Sequence, residues 1–189
     1  MFALRKKPGL NRNKFKPEFF RFNLMGKEKQ KRITVYKDTQ LTVRGVFDVF
    51  RIREEVARSI WERKYFMFER GNSVREFPDG KELEMDFNAF KKVDDYVKFI
   101  ITIKFLILKY NEVEVDGKVM GSGVAIISFT SEMEKDWKNR FRMEGFKNFL
   151  REVYEKYVIP DKLLRREKEL WEETTAIMNA AKNVLEMYS

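Results

Sequence analysis

Residues Tyr96 to Tyr110 read YVKFIITIKFLILKY, the longest apolar run in the chain. Val97, Phe99, Ile101, Ile103, Phe105 and Ile107 recur at a period of two, and Lys98 and Lys104 interrupt the alternate positions. Successive side chains of a strand point to opposite faces, so the run predicts a strand with one fully buried side and one partly wet side. It is too short and too often charged for a membrane-spanning helix. The run therefore calls for a sheet and a core, and it carries no chemistry of its own.

The segments around it supply the rest of that sheet. Residues 33–46 are rich in β-branched side chains and predict a first strand. Asp48 is placed to cap a helix running to about Lys64, with Val49, Ile52, Val56, Ile60 and Trp61 on its buried stripe. Tyr65–Phe77 returns to strand character, interrupted at Gly71-Asn72. Pro78-Asp79-Gly80 is a turn, because Pro presets its own φ and Gly accepts positive φ. In Lys81–Lys91, Leu83, Met85, Phe87 and Ala89 alternate with Glu82, Glu84, Asp86 and Asn88. Asp116-Gly117 predicts a tight hairpin. Gly121 and Gly123 predict a bulge or kink ahead of Val124–Thr130, with the strand able to reach Trp137.

Two helices are expected to follow. Phe146, Phe149, Leu150, Val153, Tyr154, Tyr157 and Val158 keep the i, i+3, i+4, i+7 spacing, so this helix should lie across the sheet on the buried face of Tyr96–Tyr110 and end at Pro160. From Asp161 to about Met187, Leu163, Leu164, Leu170, Trp171, Thr174, Ile177, Met178, Ala181, Val184, Leu185 and Tyr188 form a long stripe. That stripe either packs back on the domain or pairs with a second copy as a homodimer. The expected fold class is α+β. An antiparallel sheet of about five strands, in strand-helix-meander-helix-helix order, packs against helices. The domains are a basic N-terminal arm (1–32), an α+β core (33–159) and a C-terminal helix (160–189).

Charge divides the chain differently. Of 39 basic and 30 acidic residues, the first 32 positions hold eleven and two, leaving 28 of each elsewhere. The whole excess of +9 thus falls on an arm attached to a neutral body, and such asymmetry points to a polyanionic partner. The arm interleaves cations with aromatic rings, which neutralise phosphates and stack on unpaired bases respectively. The candidate nucleic-acid-binding residues are Arg5, Lys6, Lys7, Arg12, Lys14, Phe15, Lys16, Phe19, Phe20, Arg21, Lys27, Lys29, Lys31 and Arg32. RNA, ribosomal or otherwise structured, is the expected partner, and an anionic membrane surface is the other polyanion such a segment favours.

The chain has no His and no Cys. That removes imidazole base catalysis, the Ser-His-Asp triad, thiolate chemistry and the usual zinc ligands. A non-enzymatic protein without metal or cofactor is expected. Carboxylate neighbours exist at Asp94-Asp95, Glu54-Glu55 and Glu172-Glu173. Acid–base work needs carboxylates converging from separate elements, so capping, turns and solvated faces are the plainer reading. Gly121-Ser122-Gly123 lacks the Lys and the following helix of a phosphate loop. Charged residues at 37% suit a soluble cytoplasmic protein, as from a thermophile.

Two resemblances add to these readings. Val93-Asp94-Asp95-Tyr96-Val97-Lys98-Phe99, with Phe149-Leu150-Arg151-Glu152-Val153-Tyr154-Glu155-Lys156-Tyr157-Val158-Ile159 and the trailing Glu-rich helix, resembles a family of uncharacterised archaeal proteins over roughly residues 33–187. The resemblance implies an archaeal, cytosolic source and little chemistry. The order of elements is also similar to helix-grip, START-like domains. That similarity implies an apolar ligand cavity between sheet and helix, lined here by Phe99, Ile101, Phe105, Phe129 and Phe149, and a carrier or sensor of a hydrophobic ligand. The same side chains can instead meet and fill the space, as close-packed cores do.

Overall fold

The computed structural model describes residues 31–115, 117–141 and 146–186. The elements in order are β1 (Arg32–Phe47), α1 (Val49–Glu62), β2 (Phe66–Phe77), β3 (Gly80–Lys92), β4 (Val97–Val115), β5 (Lys118–Lys135), α2 (Phe146–Val153), a π-helical turn (Tyr154–Val158) and α3 (Pro160–Glu186). The strands form one antiparallel sheet in the order β1-β5-β4-β3-β2. β1 is one edge, and α1 carries the chain to β2 at the other. β2 to β5 then meander back until β5 pairs with β1. The fold is α+β, as the alternation predicts.

β4 lies at the centre of this sheet. Val97, Phe99, Ile101, Ile103, Phe105 and Ile107 are all buried, together with Met85, Phe87 and Ala89 of β3 and Ala125, Ile127, Phe129 and Met133 of β5. They form one cluster with Val49, Ile52, Val56 and Ile60 of α1 and Leu163, Leu170, Ile177, Ala181, Val184 and Leu185 of α3. The alternating residues of the opposite face, Ile100, Thr102, Leu106, Ile126 and Thr130 among them, stay half-buried. The helices of the core therefore cover one face of the sheet, and the other remains accessible.

α1 begins where expected: Arg51 N–H donates to Asp48 Oδ1 at 3.0 Å. It ends in a Schellman arrangement, with Lys64 N–H donating to Trp61 C=O and Tyr65 N–H to Ile60 C=O. The left-handed position is held by Lys64 at φ 63°, where Gly is the usual occupant. Trp61 does not join the buried stripe. It is 63% exposed, because Val49, Ile52, Val56 and Ile60 already complete the inward face.

Two other expectations are corrected. The irregularity at Gly121 and Gly123 lies in β4, between Leu108 and Asn111, and β5 runs through unbroken. The glycines accommodate the bulge opposite. A Cβ on Gly123 would stand 2.6 Å from the Leu108 carbonyl oxygen.

The larger correction concerns α2. It does not cover the sheet; α3 and α1 do. Phe149 is 60% exposed, and Leu150, Tyr157 and Val158 are exposed as well. The reason is the company that this segment must keep. β5 continues its inward parity through Phe129, Ser131 and Met133 to Lys135, which is thereby buried as a charge. The segment over it turns Glu155 inward to pair with Lys135, with buried Arg151 beside Glu155, and leaves Phe149, Leu150, Tyr157 and Val158 outside. Pro160 ends that segment and also starts α3, where its missing N–H costs nothing. The α3 stripe packs back on the domain. Its outer members Leu164 and Trp171 remain exposed, and Trp171 stacks on Tyr36 at 6.4 Å.

Candidate functional site

The accessible sheet face is not uniform. At the β2 edge, antiparallel register sets Phe66 opposite Phe90, and the period of two brings Phe68 to the same side. The Phe66 and Phe90 rings lie 5.2 Å apart at 49°, and Phe68 is 6.4 Å from each. Phe66 is 62% exposed. Lys98, one strand further in, places its ammonium 5.5 Å from the Phe90 ring centre and pairs with Glu134 at 3.2 Å.

Beside these rings is an open cleft of about 410 Å³ lined by Lys64, Phe66, Phe90, Lys91 and Lys92. Among the described residues the wall holds three cations and two rings and no acid. Lys91 is committed: its ammonium donates to Glu173 at 2.5 Å and lies 3.7 Å from Glu169. Lys64 and Lys92 have no ion-pair partner among the described residues. Lys92 also lies 5.0 Å from the centre of the Trp137 ring, with Lys138 at 5.3 Å from the same ring. Trp137 is held in place by its Nε1–H, which donates to the Asp94 carbonyl at 2.8 Å. Faces of π-systems next to ammonium groups can hold a flat ring and an anion together.

A second polar group is sealed inside the end of the sheet. Glu155 accepts from Lys135 Nζ at 2.6 Å and from Tyr96 O–H at 2.7 Å, with Arg151 Nε at 3.7 Å. The Lys135 and Glu155 side chains are 4% and 3% exposed. Burial pushes the Tyr96 phenol well above its ordinary range, and the bond to Glu155 adds to the push. Tyr65 is shifted the same way by burial and by its bond to Glu173. Both phenols are donors locked on carboxylates. The rings of Phe141 and Tyr154 pack against Tyr96 at 6.5 and 5.5 Å. The arrangement anchors the π-helical turn to the sheet and leaves no carboxylate of the group facing solvent.

The carboxylate neighbours serve the fold. Asp94 accepts the N–H groups of Tyr96 and Val97 at 2.8 and 2.9 Å and meets Lys162 at 3.1 Å. Burial raises its pKa, but those bonds outweigh it and hold the carboxyl below the usual range. Asp95 is exposed and pairs with Lys138 and Arg140. Glu173 departs from the solvated reading, since it is drawn down onto Tyr65 and Lys91. Among the described residues no three acids gather as a metal ion would need.

Of the residues singled out for nucleic acid, Arg5, Lys6, Lys7, Arg12, Lys14, Phe15, Lys16, Phe19, Phe20, Arg21, Lys27 and Lys29 lie outside the described residues. Lys31 and Arg32 lie at the start of β1, where Lys31 donates to Asn139 Oδ1 and Arg32 pairs with Glu132. Both are tied into the sheet. Of the suggested cavity lining, Phe99, Ile101, Phe105 and Phe129 come together in the core, in contact with the helix side chains. Phe149 does not join them, for the reason given above. Sequence reasoning missed Phe66, Phe90, Lys64 and Lys92. One signal was available, because Tyr65–Phe68 puts large side chains on both faces of one strand. Among the described residues no helix is long and apolar enough to cross a membrane. Comparison of the chain with protein-family models and with curated proteins finds no match.

Proposed function

We propose that this is a non-enzymatic nucleic-acid-binding protein whose basic arm engages RNA, ribosomal or otherwise structured, in the cytoplasm. The observation that carries the reading is the segregation of charge: +9 in the first 32 residues and zero in the rest. Phosphate contacts by Lys and Arg supply most of sequence-independent affinity, and a polyanion is the partner that such an arm attracts. The neutral body supports the reading in a second way. One face of its sheet is accessible and bears aromatic rings among lysines.

The test is the salt dependence of RNA binding by the full chain and by a form lacking residues 1–24. That deletion removes Arg5, Lys6, Lys7, Arg12, Lys14, Lys16 and Arg21. If those seven reach phosphates, the slope of log K against log salt flattens by about 5 on deletion, at roughly 0.7 per contact. Equal affinity and equal slope for the two forms would refute the proposal.

A further inference from the structure

We infer that the cleft between Lys64, Phe66, Phe90 and Lys92 is a subsite for one unpaired nucleotide, with the base on the Phe66–Phe90 rings and the phosphate between Lys64 and Lys92. The inference rests on the nucleic-acid reading above and deepens it. It makes the body select single-stranded segments, while the arm supplies affinity that is blind to pairing.

Four observations lead there. The cleft, at about 410 Å³, falls in the range of small-ligand sites. Among the described residues its lining is cationic and aromatic with no carboxylate, so it favours an anion that also carries a flat ring. A buried aromatic needs no such setting, yet Phe66 is held in solvent on an accessible sheet face, paired with Phe90 by the β2–β3 register. Antiparallel sheets with exposed rings on one face present bases with π-surfaces to stack on, whereas paired bases inside a duplex offer none.

Lys64 adds the fourth. It occupies the left-handed position that closes α1, where Gly would be relaxed and a side chain is strained. The position aims no cation into the core and lines the cleft instead. The conformation itself belongs to the Schellman end of α1, and what it gives the cleft is a lysine side chain on its wall. An acidic peptide would satisfy the lysines and leave the rings without a flat partner, so a nucleotide is the better occupant.

The experiment uses the full chain and two labelled probes, a short oligouridylate and an RNA duplex of similar charge. Phe66→Ala should weaken oligouridylate binding about tenfold and leave duplex binding unchanged, since one stacked base is at stake. Phe66→Tyr should restore it. Lys92→Gln should lower the salt slope for oligouridylate by about 1. Phe66 is mostly exposed, so the variant should keep its thermal midpoint, and Lys92→Gln gives a second test that does not touch the rings. Wild-type binding of oligouridylate by both Phe66→Ala and Lys92→Gln overturns the subsite and leaves the arm reading standing. Equal loss of both probes in Phe66→Ala overturns it too, as does displacement of oligouridylate by polyglutamate that depends on Phe66. Failure of the parent protein to bind either probe at low salt overturns the arm reading as well.

Discussion

Replacing Glu155 by Gln should be among the most destabilising single changes this protein can undergo. The carboxylate is buried at the end of the sheet and accepts from both Lys135 and Tyr96, with Arg151 close by. Gln keeps the volume and one acceptor oxygen, but it removes the negative charge. Lys135, 4% exposed, is then a buried cation that has lost the carboxylate it pairs with. Removing one partner of a buried ion pair costs about 3–5 kcal/mol. That is a large part of the roughly 5–15 kcal/mol that holds a domain folded. The double variant Lys135→Met with Glu155→Leu removes both charges of the pair but also takes the acceptor from the Tyr96 O–H and the carboxylate from buried Arg151, so it should recover only part of that loss. Urea denaturation followed by circular dichroism measures all three, and an unchanged m-value would show that the unfolding transition is the same. A cost below about 1 kcal/mol for Glu155→Gln would mean that Lys135 finds water or another acid. A double variant no more stable than the single one would mean that the pair's geometry, and not its charge, holds the turn. Either result would overturn the role given to the Lys135–Glu155 pair.

Four further outcomes are expected. Lys64→Gly should stabilise the fold by about 1 kcal/mol in thermal or urea unfolding, because Gly relaxes the left-handed position, and should weaken oligouridylate binding in the same protein. Phe129→Ala should cost about 3–5 kcal/mol and Phe149→Ser less than about 1, although both are aromatic positions on apolar stripes in the sequence. Gly123→Ala should cost about 2 kcal/mol or more, since its Cβ would press on the Leu108 carbonyl, a backbone atom with no rotamer to escape into. Glu167 has its pKa raised by burial, with Lys135 offsetting part of the rise. A raised carboxyl pKa favours the native state below the unfolded value and withdraws that contribution as pH climbs through the folded one. Stability should therefore fall across that interval in the parent and stay flatter in Glu167→Gln, as read from urea midpoints against pH.

What could be read from the sequence was whatever a single element decides by itself. The alternation in Tyr96–Tyr110 specified a strand and its buried face, because the period of two admits no other placement of those side chains. Asp48 capped α1, and Pro78-Asp79 made the turn between β2 and β3, because both rest on contacts within a few residues. The charge asymmetry of the arm was likewise plain, since charge needs no fold to be counted.

The choice between two amphipathic helices was a different matter. Periodicity says that a helix has an apolar face, not which surface that face meets. α3 took the sheet because its stripe is long enough to span the core, with Thr174 and Ala181 fully buried where larger side chains would hold it off. α2 was turned over by Lys135, a buried charge contributed by a strand and needing a carboxylate. The cleft by Phe66 and Phe90 had the same origin, because it exists only through the β2–β3 register and the left-handed end of α1. The strand at Tyr96–Tyr110 was determined by its own residues. The surfaces on either side of it were decided by contacts between residues far apart in the chain, which only the tertiary structure brings together.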